Sequence, residues 1–238
     1  MKTLPLVLTL LSIAMCTTAA DSLKQQLEAR KAESAAKSPA EVKTAYAAGI
    51  QAVADSGVVD SAKQVGDRAP DFTLKNALGE SVTLSQLLKQ GPVVLTWYRG
   101  GWCPYCNLTL RALQQALPEI KAAGAQLVAL TPELPDKTAT TTEKNALEFQ
   151  VLTDLNHRVA QAYGVVFKLT PEVRDLYQKH FDLLEFNGKE AGNDSLPLAA
   201  TYIIAQDGTI QYAFLNADYR NRAEPAEVVA FLKTLPSK

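Results

Sequence analysis

The stretch of sequence that decides the fold is PVVLTWYRGGWCPYC, residues 92–106. Residues 92–98 form a dense apolar run, which predicts a strand buried on both faces of a sheet. A loop with two glycines follows at 99–102, and Cys103 stands where a helix is expected to begin. The stretch therefore predicts a strand, a short loop and a helix, with two cysteines in the first helical turn.

Outward from this stretch, short β segments alternate with helical ones. We expect further strands at 72–74, 81–84, 126–131, 150–152, 201–204 and 210–214, and helices at 85–90, 103–117, 138–149, 159–163 and 225–235. Pro118 is expected to interrupt the helix that begins at Cys103. Gln206-Asp207-Gly208 is a hairpin turn signal. This order predicts the α/β class, with a mixed central sheet sandwiched by helices.

Residues 1–20 have the layout of a secretory signal peptide, with basic Lys2, an apolar run and small residues up to Ala20. We expect cleavage after Ala20 and export to the periplasm or another extracytoplasmic compartment. Lipidation at Cys16 is an alternative, but the bulky Met15 before it is unfavourable. The apolar run is too short to span a bilayer, so no membrane association is expected after cleavage.

Residues 21–62 have apolar positions at helical spacing and are expected to form a helical extension before the main domain at 63–238. Ser38-Pro39 indicates a break between two helices, with Pro39 at the first position of the second. The formal net charge is −1 and there is no basic cluster. Nothing in this charge pattern points to a nucleic-acid partner.

Cys103 and Cys106 are too close in sequence to stabilise the fold by closing a loop, which indicates a chemical role. At a helix N-terminus, unpaired N–H groups and the helix dipole favour the Cys103 thiolate, and Arg99 adds positive charge. Cys106 lies one turn further on, where it can attack whatever forms on Cys103. We therefore expect Cys103 to be the nucleophile and to have the lower pKa.

Metal binding is the main alternative use of a Cys-x-x-Cys pair. No second cysteine pair follows residue 106, and His157 and His180 lack the spacing of zinc ligands. We therefore expect neither a metal nor an organic cofactor. A copper-delivery protein remains a third hypothesis, which requires His157 or His180 near the two thiols.

The chain resembles the peroxiredoxin-like branch of the alkyl hydroperoxide reductase/thiol-specific antioxidant family, within the thioredoxin superfamily. The resemblance lies in VGDRAPDF at 65–72, in the stretch 92–106, in LTD at 152–154, in YGV at 163–165 and in 201–208. It implies a thioredoxin-like fold and an antioxidant thiol oxidoreductase. It also implies Cys103 as the peroxidatic and Cys106 as the resolving cysteine.

Three positions depart from the peroxiredoxin pattern: Thr96, Gly100 and Ala199 stand where the family has Pro, Thr or Ser, and Arg. Two functions therefore stay open. The first is a thioredoxin-dependent peroxidase that reduces peroxides and is regenerated by a thioredoxin-like dithiol. The second is a thiol–disulfide oxidoreductase acting on protein disulfides. The sequence does not predict the oligomeric state.

The segment 167–198 is long for a connection between two elements of this fold. Its first part, 171–181, has a helical pattern. We expect this segment to be an insertion that covers the loop carrying Cys103.

Overall fold

The structure, a computed structural model, describes residues 22–189, 192 and 194–236, so the expected signal peptide and Cys16 lie outside the described residues. The strands are β1 (Thr73–Asn76), β2 (Ser81–Thr83), β3 (Val93–Trp97), β4 (Gln126–Thr131), β5 (Gln150–Thr153), β6 (Val166–Lys168), β7 (Ser195–Pro197), β8 (Thr201–Ile204) and β9 (Ile210–Phe214). The helices are α1 (Leu23–Lys37), α2 (Ala40–Asp55), α3 (Val58–Ser61), α4 (Leu84–Leu88), α5 (Pro104–Ala122), α6 (Pro135–Lys144), α7 (Arg158–Ala162), α8 (Pro171–Gln178), α9 (Leu183–Asn187) and α10 (Pro225–Leu232), with a 3-10 turn at Leu155–His157.

Seven strands form one mixed sheet in the order β2-β1-β5-β4-β3-β8-β9. Strands β3, β4 and β5 are parallel, while β1 and β8 pair antiparallel with the edges of this parallel unit. Every residue of β3 is buried, as its apolar run predicts. The predicted mixed sheet is confirmed, and the carboxyl end of β3 leads directly into the loop at 99–102.

Apolar side chains fill both faces of the sheet. On one face, Val94 and Ile203 belong to a core with α5, α10 and the first turns of α1, where Leu23 and Leu27 are buried. On the other face, Leu95 and Trp97 belong to a core with residues of α2, α3, α7 and α8. The N-terminal helices are thus packed on both sides of the sheet.

Two helices differ from the sequence prediction. Helix α5 continues through Pro118 to Ala122. Pro118 is exposed, while Leu117 before it and Ile120 two positions after it are buried, so packing holds the helix together where a hydrogen bond is lost. Helix α6 begins at Pro135 and ends at Lys144, because Ala146 has a positive φ of 48° that stops the helix before the predicted end.

The break in the N-terminal extension also differs in detail. Pro39 is the N-cap of α2 and has an extended backbone, so the first helical residue is Ala40. Within the described part of the chain, no helix is both long and apolar enough to cross a membrane.

The segment 167–198 contains α8 and α9, and its ends pair through the antiparallel strands β6 and β7. This small second sheet was not predicted from the sequence. It closes the base of the insertion, while α8 packs against α2 of the N-terminal extension.

Candidate active site

The loop at 99–102 can adopt its shape only because it carries two glycines. A Cβ atom on Gly100, whose φ is 155°, would lie 2.1 Å from Nε1 of Trp102. A Cβ atom on Gly101 would lie 2.0 Å from Oγ1 of Thr141 in α6. The glycines therefore let the Trp102 ring fold back over the loop and let α6 approach it closely.

Cys103 is the N-cap of α5, which confirms that it opens the helix. Both thiols are buried, with Cys103 1% and Cys106 0% exposed. The Sγ atom of Cys106 accepts from the backbone N–H of Arg99 (3.5 Å) and from Nη2 of Arg222 (3.6 Å). The Sγ atom of Cys103 accepts from Nη1 of Arg99 (3.8 Å).

The charge of the reduced pair differs from the sequence expectation. Burial raises the pKa of the Cys103 thiol well above its ordinary value, and the adjacent Cys106 adds to this. Burial opposes ionisation of Cys106 too, but the hydrogen bond from Cys103 and the positive charges of Arg222 and Arg99 outweigh it and hold the pKa of Cys106 well below its ordinary value. These interactions favour the negative charge of the pair on Cys106, with the Cys103 thiol as the donor. The sequence placed the lower pKa on Cys103, whereas the hydrogen bond from Cys103 and the nearby Arg222 shift the pKa of Cys106 downwards.

Arg99 is 2% exposed and is surrounded by aromatic rings. Its guanidinium carbon lies 4.1 Å from the ring centre of Tyr219 and 5.0 Å from that of Trp102. It also donates a hydrogen bond to the hydroxyl of Tyr177 in α8. Among the described residues, no carboxylate lies within ion-pair distance of Arg99. The thiolate and the π faces are thus the groups that stabilise this buried cation.

A buried carboxyl group holds the loop at 99–102 through a hydrogen bond to its backbone. Glu133, which follows β4, is 0% exposed and accepts from the backbone N–H of Gly101 (2.9 Å). Burial raises the pKa of Glu133 to about 7. Asn107 donates to the carbonyl oxygens of Gly101 (2.8 Å) and Cys103 (3.0 Å), and so fixes the loop to the first turns of α5.

A cavity of about 360 Å³ opens above Cys103. Its wall includes Arg99 and Trp102 of the loop, residues of α1 and α2, and Tyr177 and Phe181 of the insertion. The Trp102 ring centre lies 5.3 Å from that of Tyr177 and 4.7 Å from that of Phe181. The prediction that the insertion covers the Cys103 loop is confirmed for its described part. Cys106 is not among the residues that line the cavity.

Sequence reasoning identified Cys103, Cys106 and Arg99, and the structure brings all three together. It missed Arg222 and Glu133. The position of Glu133 at the carboxyl end of a parallel strand was an available signal, since such ends meet at one edge of the sheet. Arg222 stands in a polar loop after β9 and gave no sequence signal. Ala199, where the family resemblance expects an arginine, lies before β8 and is buried.

The two histidines lie apart from each other. His180 lines the cavity with Cys103, while His157 is buried at the start of α7 and does not line it. Within the described ranges, no group of three or more His, Cys, Asp or Glu side chains is arranged to hold a metal ion. Neither histidine supplies the further ligands that copper delivery would need.

Comparison with known proteins places this site in a family. Over 103 residues the chain is 33% identical to "Peroxiredoxin Bcp" of Escherichia coli K12, covering 43% of this chain and 65% of that protein. It is 27% identical over 163 residues to "Peroxiredoxin Q, chloroplastic" of Triticum aestivum, covering 68% of this chain and 64% of that protein. The chain thus spans just under two thirds of the length of these curated relatives.

Among solved structures, "Peroxidoxin BcpB" of Mycobacterium tuberculosis superposes with a TM-score of 0.58 at 22% identity, covering 73% of this chain and 99% of that one. At this identity the likeness concerns the fold alone, and it confirms the thioredoxin-like architecture. Residues 65–213 match the sequence profile of the AhpC/TSA family. This match covers more than half of the chain, which therefore belongs to the AhpC/TSA family.

Proposed function

We propose that this protein is a thiol peroxidase that reduces peroxides through Cys103 and Cys106 and is regenerated by an external, thioredoxin-like dithiol. Membership of the AhpC/TSA family and the peroxiredoxin names of its relatives support this proposal. The observation that carries it is the position of Cys103. Its thiol lies at the base of a cavity of about 360 Å³, beside a buried arginine.

The reaction begins with a proton shift within the pair. The thiolate of Cys106 takes the proton of the Cys103 thiol along the hydrogen bond that joins them, which places the negative charge on the sulfur that faces the cavity. Cys103 then attacks the outer oxygen of the peroxide, and the O–O bond breaks to give a sulfenic acid and an alkoxide or hydroxide. Arg99, next to Cys103, stabilises the departing oxygen, which takes the proton now on Cys106.

The second step uses the low pKa of Cys106. Once Cys106 is again a thiolate, it attacks the sulfur of the Cys103 sulfenic acid, the S–O bond breaks, and the departing hydroxide takes a proton from solvent and leaves as water. Arg222 keeps Cys106 ionised for this step. The resulting disulfide is uncharged, so Arg99 and Arg222 no longer have an anion between them. This weakens the packing of the loop at the point where the external dithiol must reach the disulfide.

A thiol–disulfide oxidoreductase acting on protein disulfides is the second function that the cysteine pair could support. The reduced site argues against it, because Cys103 is 1% exposed and lies below the N-terminal helices and the insertion. A small peroxide can enter such a cavity, whereas a disulfide on a protein surface cannot reach the sulfur without displacing these elements.

Steady-state turnover tests the choice between these two functions. The reduced protein is assayed with hydrogen peroxide and, separately, with a model protein disulfide, each with the same thioredoxin-like reductant. We expect peroxide-dependent oxidation of the reductant that is lost in Cys103→Ser. Faster turnover of the protein disulfide than of peroxide would refute the peroxidase.

We further propose that the protein works outside the cytoplasm, after removal of residues 1–20. The Lys2, apolar and Ala-rich layout of these residues supports this. Intact mass spectrometry of the protein from the envelope of the producing cell should give a chain that begins at Asp21. A soluble cytosolic chain that retains Met1 would refute the proposal.

A further inference from the structure

One hydroxyl group of the peroxiredoxin pattern is missing near Cys103. The pattern has Thr or Ser at position 100, where this chain has glycine. The structure leaves no room for such a side chain, since a Cβ atom on Gly100 would lie 2.1 Å from Nε1 of Trp102. The hydroxyl of Thr96 does not replace it, because it lies 2.9 Å from Oγ1 of Thr201 in the sheet, and Thr96 is not among the described residues that line the cavity. A hydroxyl that acts on a substrate above Cys103 must therefore come from another part of the chain.

The insertion supplies a hydroxyl at this place. Tyr177 of α8 lines the cavity, and its hydroxyl accepts a hydrogen bond from Nη2 of Arg99. The other terminal nitrogen of the same guanidinium, Nη1, donates to Sγ of Cys103 (3.8 Å). Among the described residues that line the cavity, Tyr177 is the one whose hydroxyl is bonded to Arg99. A single guanidinium therefore joins the reactive sulfur and this hydroxyl.

The ring of Tyr177 is fixed by its neighbours. The residue is buried, and its ring centre lies 5.3 Å from that of Trp102 and 5.3 Å from that of Phe181. Val173, one turn earlier in α8, lies so close to α2 that a Cβ atom on Gly49 would be 2.6 Å from its Cγ2 atom. The hydroxyl thus has a defined position in the wall of the cavity.

The hydroxyl of Tyr177 is available as a hydrogen-bond donor. Burial raises the pKa of Tyr177 to about 12, although the nearby charge of Arg99 opposes this rise, so the group keeps its proton near neutral pH. Because a guanidinium only donates, its contact uses a lone pair of the Tyr177 oxygen and does not use the O–H proton. Such a donor has its largest effect where negative charge develops in the reaction, which in peroxide reduction is the departing oxygen.

We propose that the hydroxyl of Tyr177 donates a hydrogen bond to the departing oxygen of the peroxide, next to Arg99, and is therefore a further catalytic residue. The sulfur of Cys103 bonds to the outer oxygen, the O–O bond breaks, and the departing oxygen takes the proton held by Cys106. Tyr177 keeps its own proton throughout and stabilises the negative charge until that transfer. This inference rests on the proposed peroxidase function, and it makes the insertion part of the catalytic machinery.

The test compares a peroxide with an alkylating reagent that reacts with the same sulfur. Reduced Tyr177→Phe, which keeps the ring, is treated with hydrogen peroxide and, separately, with iodoacetamide, and modification of Cys103 is followed by rapid quenching and peptide mass spectrometry. Iodoacetamide has no O–O bond, so a change in the acidity or accessibility of the thiol alters both rate constants and cancels in their ratio. We expect the ratio of the peroxide to the iodoacetamide rate constant to fall about tenfold or more in Tyr177→Phe.

A control variant and a second peroxide locate the effect. Tyr212→Phe removes a hydroxyl from a half-buried position of β9 outside the cavity and should keep the wild-type ratio. Peracetic acid loses acetate, which is a much weaker base than hydroxide, so Tyr177→Phe should slow its reaction less than that of hydrogen peroxide. Equal slowing of the two peroxides, or an unchanged ratio of peroxide to iodoacetamide rate constants, would overturn the role of Tyr177.

The same measurements separate this inference from the peroxidase itself. If the wild type forms the sulfenic acid at Cys103 and Tyr177→Phe keeps the wild-type ratio, the peroxidase stands and the role of Tyr177 is refuted. If the wild type is alkylated at Cys103 but is not oxidised by peroxide, the peroxidase is refuted, and the role of Tyr177 with it.

Discussion

Arg222 reaches the sulfur of Cys106 although 116 positions separate the two residues in the chain. Together with Arg99 it places two buried guanidinium groups around a thiol pair that holds one negative charge. Each guanidinium favours the thiolate over the disulfide, because only the thiolate carries charge. The acidity of the site is thus determined by arginines from two distant parts of the chain, in addition to the helix N-terminus at Cys103.

Replacing Arg222 tests whether this residue lowers the pKa of the thiol pair. In Arg222→Met, loss of the buried cation should raise the lowest thiol pKa by about one unit or more, measured as thiolate ultraviolet absorbance against pH. The reduction potential of the disulfide should become more negative, by roughly 30 mV for each 1.4 kcal/mol of lost thiolate stabilisation. Arg220→Met is the matched control, since Arg220 pairs with Asp218 and makes no hydrogen bond to either sulfur. Equal titration curves for the two variants would contradict the role given to Arg222.

Glu133 makes the stability of the protein depend on pH. Its folded pKa of about 7 lies above its ordinary value of 4.5, so its favourable contribution is fully present below about pH 4.5 and is lost as the pH rises through about 7. The loss is about 3 kcal/mol in the free energy of unfolding. Urea unfolding at a series of pH values should show this decline in the wild type and a flatter profile in Glu133→Gln.

The exposed Glu148 provides a control for this experiment. Glu148→Gln should keep the wild-type decline in the free energy of unfolding between pH 4.5 and 7. A difference between wild type and Glu133→Gln that stays constant across this range would show that Glu133 does not titrate there.

At the level of the elements, α5 is capped by Cys103, carries Cys106 in its first turn and also contains a helix-breaking residue. Pro118 cannot donate to the carbonyl of Gln114, yet the helix continues because its buried stripe, which includes Leu113, Leu117 and Ile120, packs on the sheet. Packing therefore overrides local propensity in this helix.

Pro118→Ala should stabilise the protein. Alanine restores the backbone donor and removes the ring clash, a gain of about 1–3 kcal/mol that exceeds the smaller entropic advantage of proline in the unfolded chain. Urea unfolding measures the change, and Gln115→Ala, at an exposed position of the same helix, should leave the stability within about 0.5 kcal/mol. A destabilised Pro118→Ala would mean that α5 requires the proline.

The elements that were predicted correctly are those whose signal is local. The apolar run of β3 and the Asp-Gly turn between β8 and β9 each carry their own pattern, and both are confirmed. The prediction that α5 ends at Pro118 failed because the interactions that extend it are with distant residues of the sheet. The pairing of β6 with β7 was missed for the same reason, since 26 residues lie between the two strands (from 169 to 194).

On the scale of the whole molecule, three regions meet above Cys103: the N-terminal helices, the loop after β3 and the insertion. The sequence predicted the cysteine pair and the covering insertion because each follows from spacing and length. It did not predict that α1 and α2 supply cations to the cavity. It also did not predict that Arg222 lies beside the two cysteines, whereas the position at which the family has an arginine is the uncharged Ala199. Both depend on tertiary packing between segments that carry no common motif.

The central claim is that Cys103 is the sulfur that attacks peroxide, and sulfenic acid formation in the two single variants tests it most directly. Reduced Cys106→Ser and Cys103→Ser are each mixed with one equivalent of hydrogen peroxide and trapped with dimedone, and the adduct is located by peptide mass spectrometry. We expect rapid formation of an adduct at Cys103 in Cys106→Ser and none on that timescale in Cys103→Ser, because Cys106 does not line the cavity. An adduct at Cys106 that forms as fast in Cys103→Ser would contradict it.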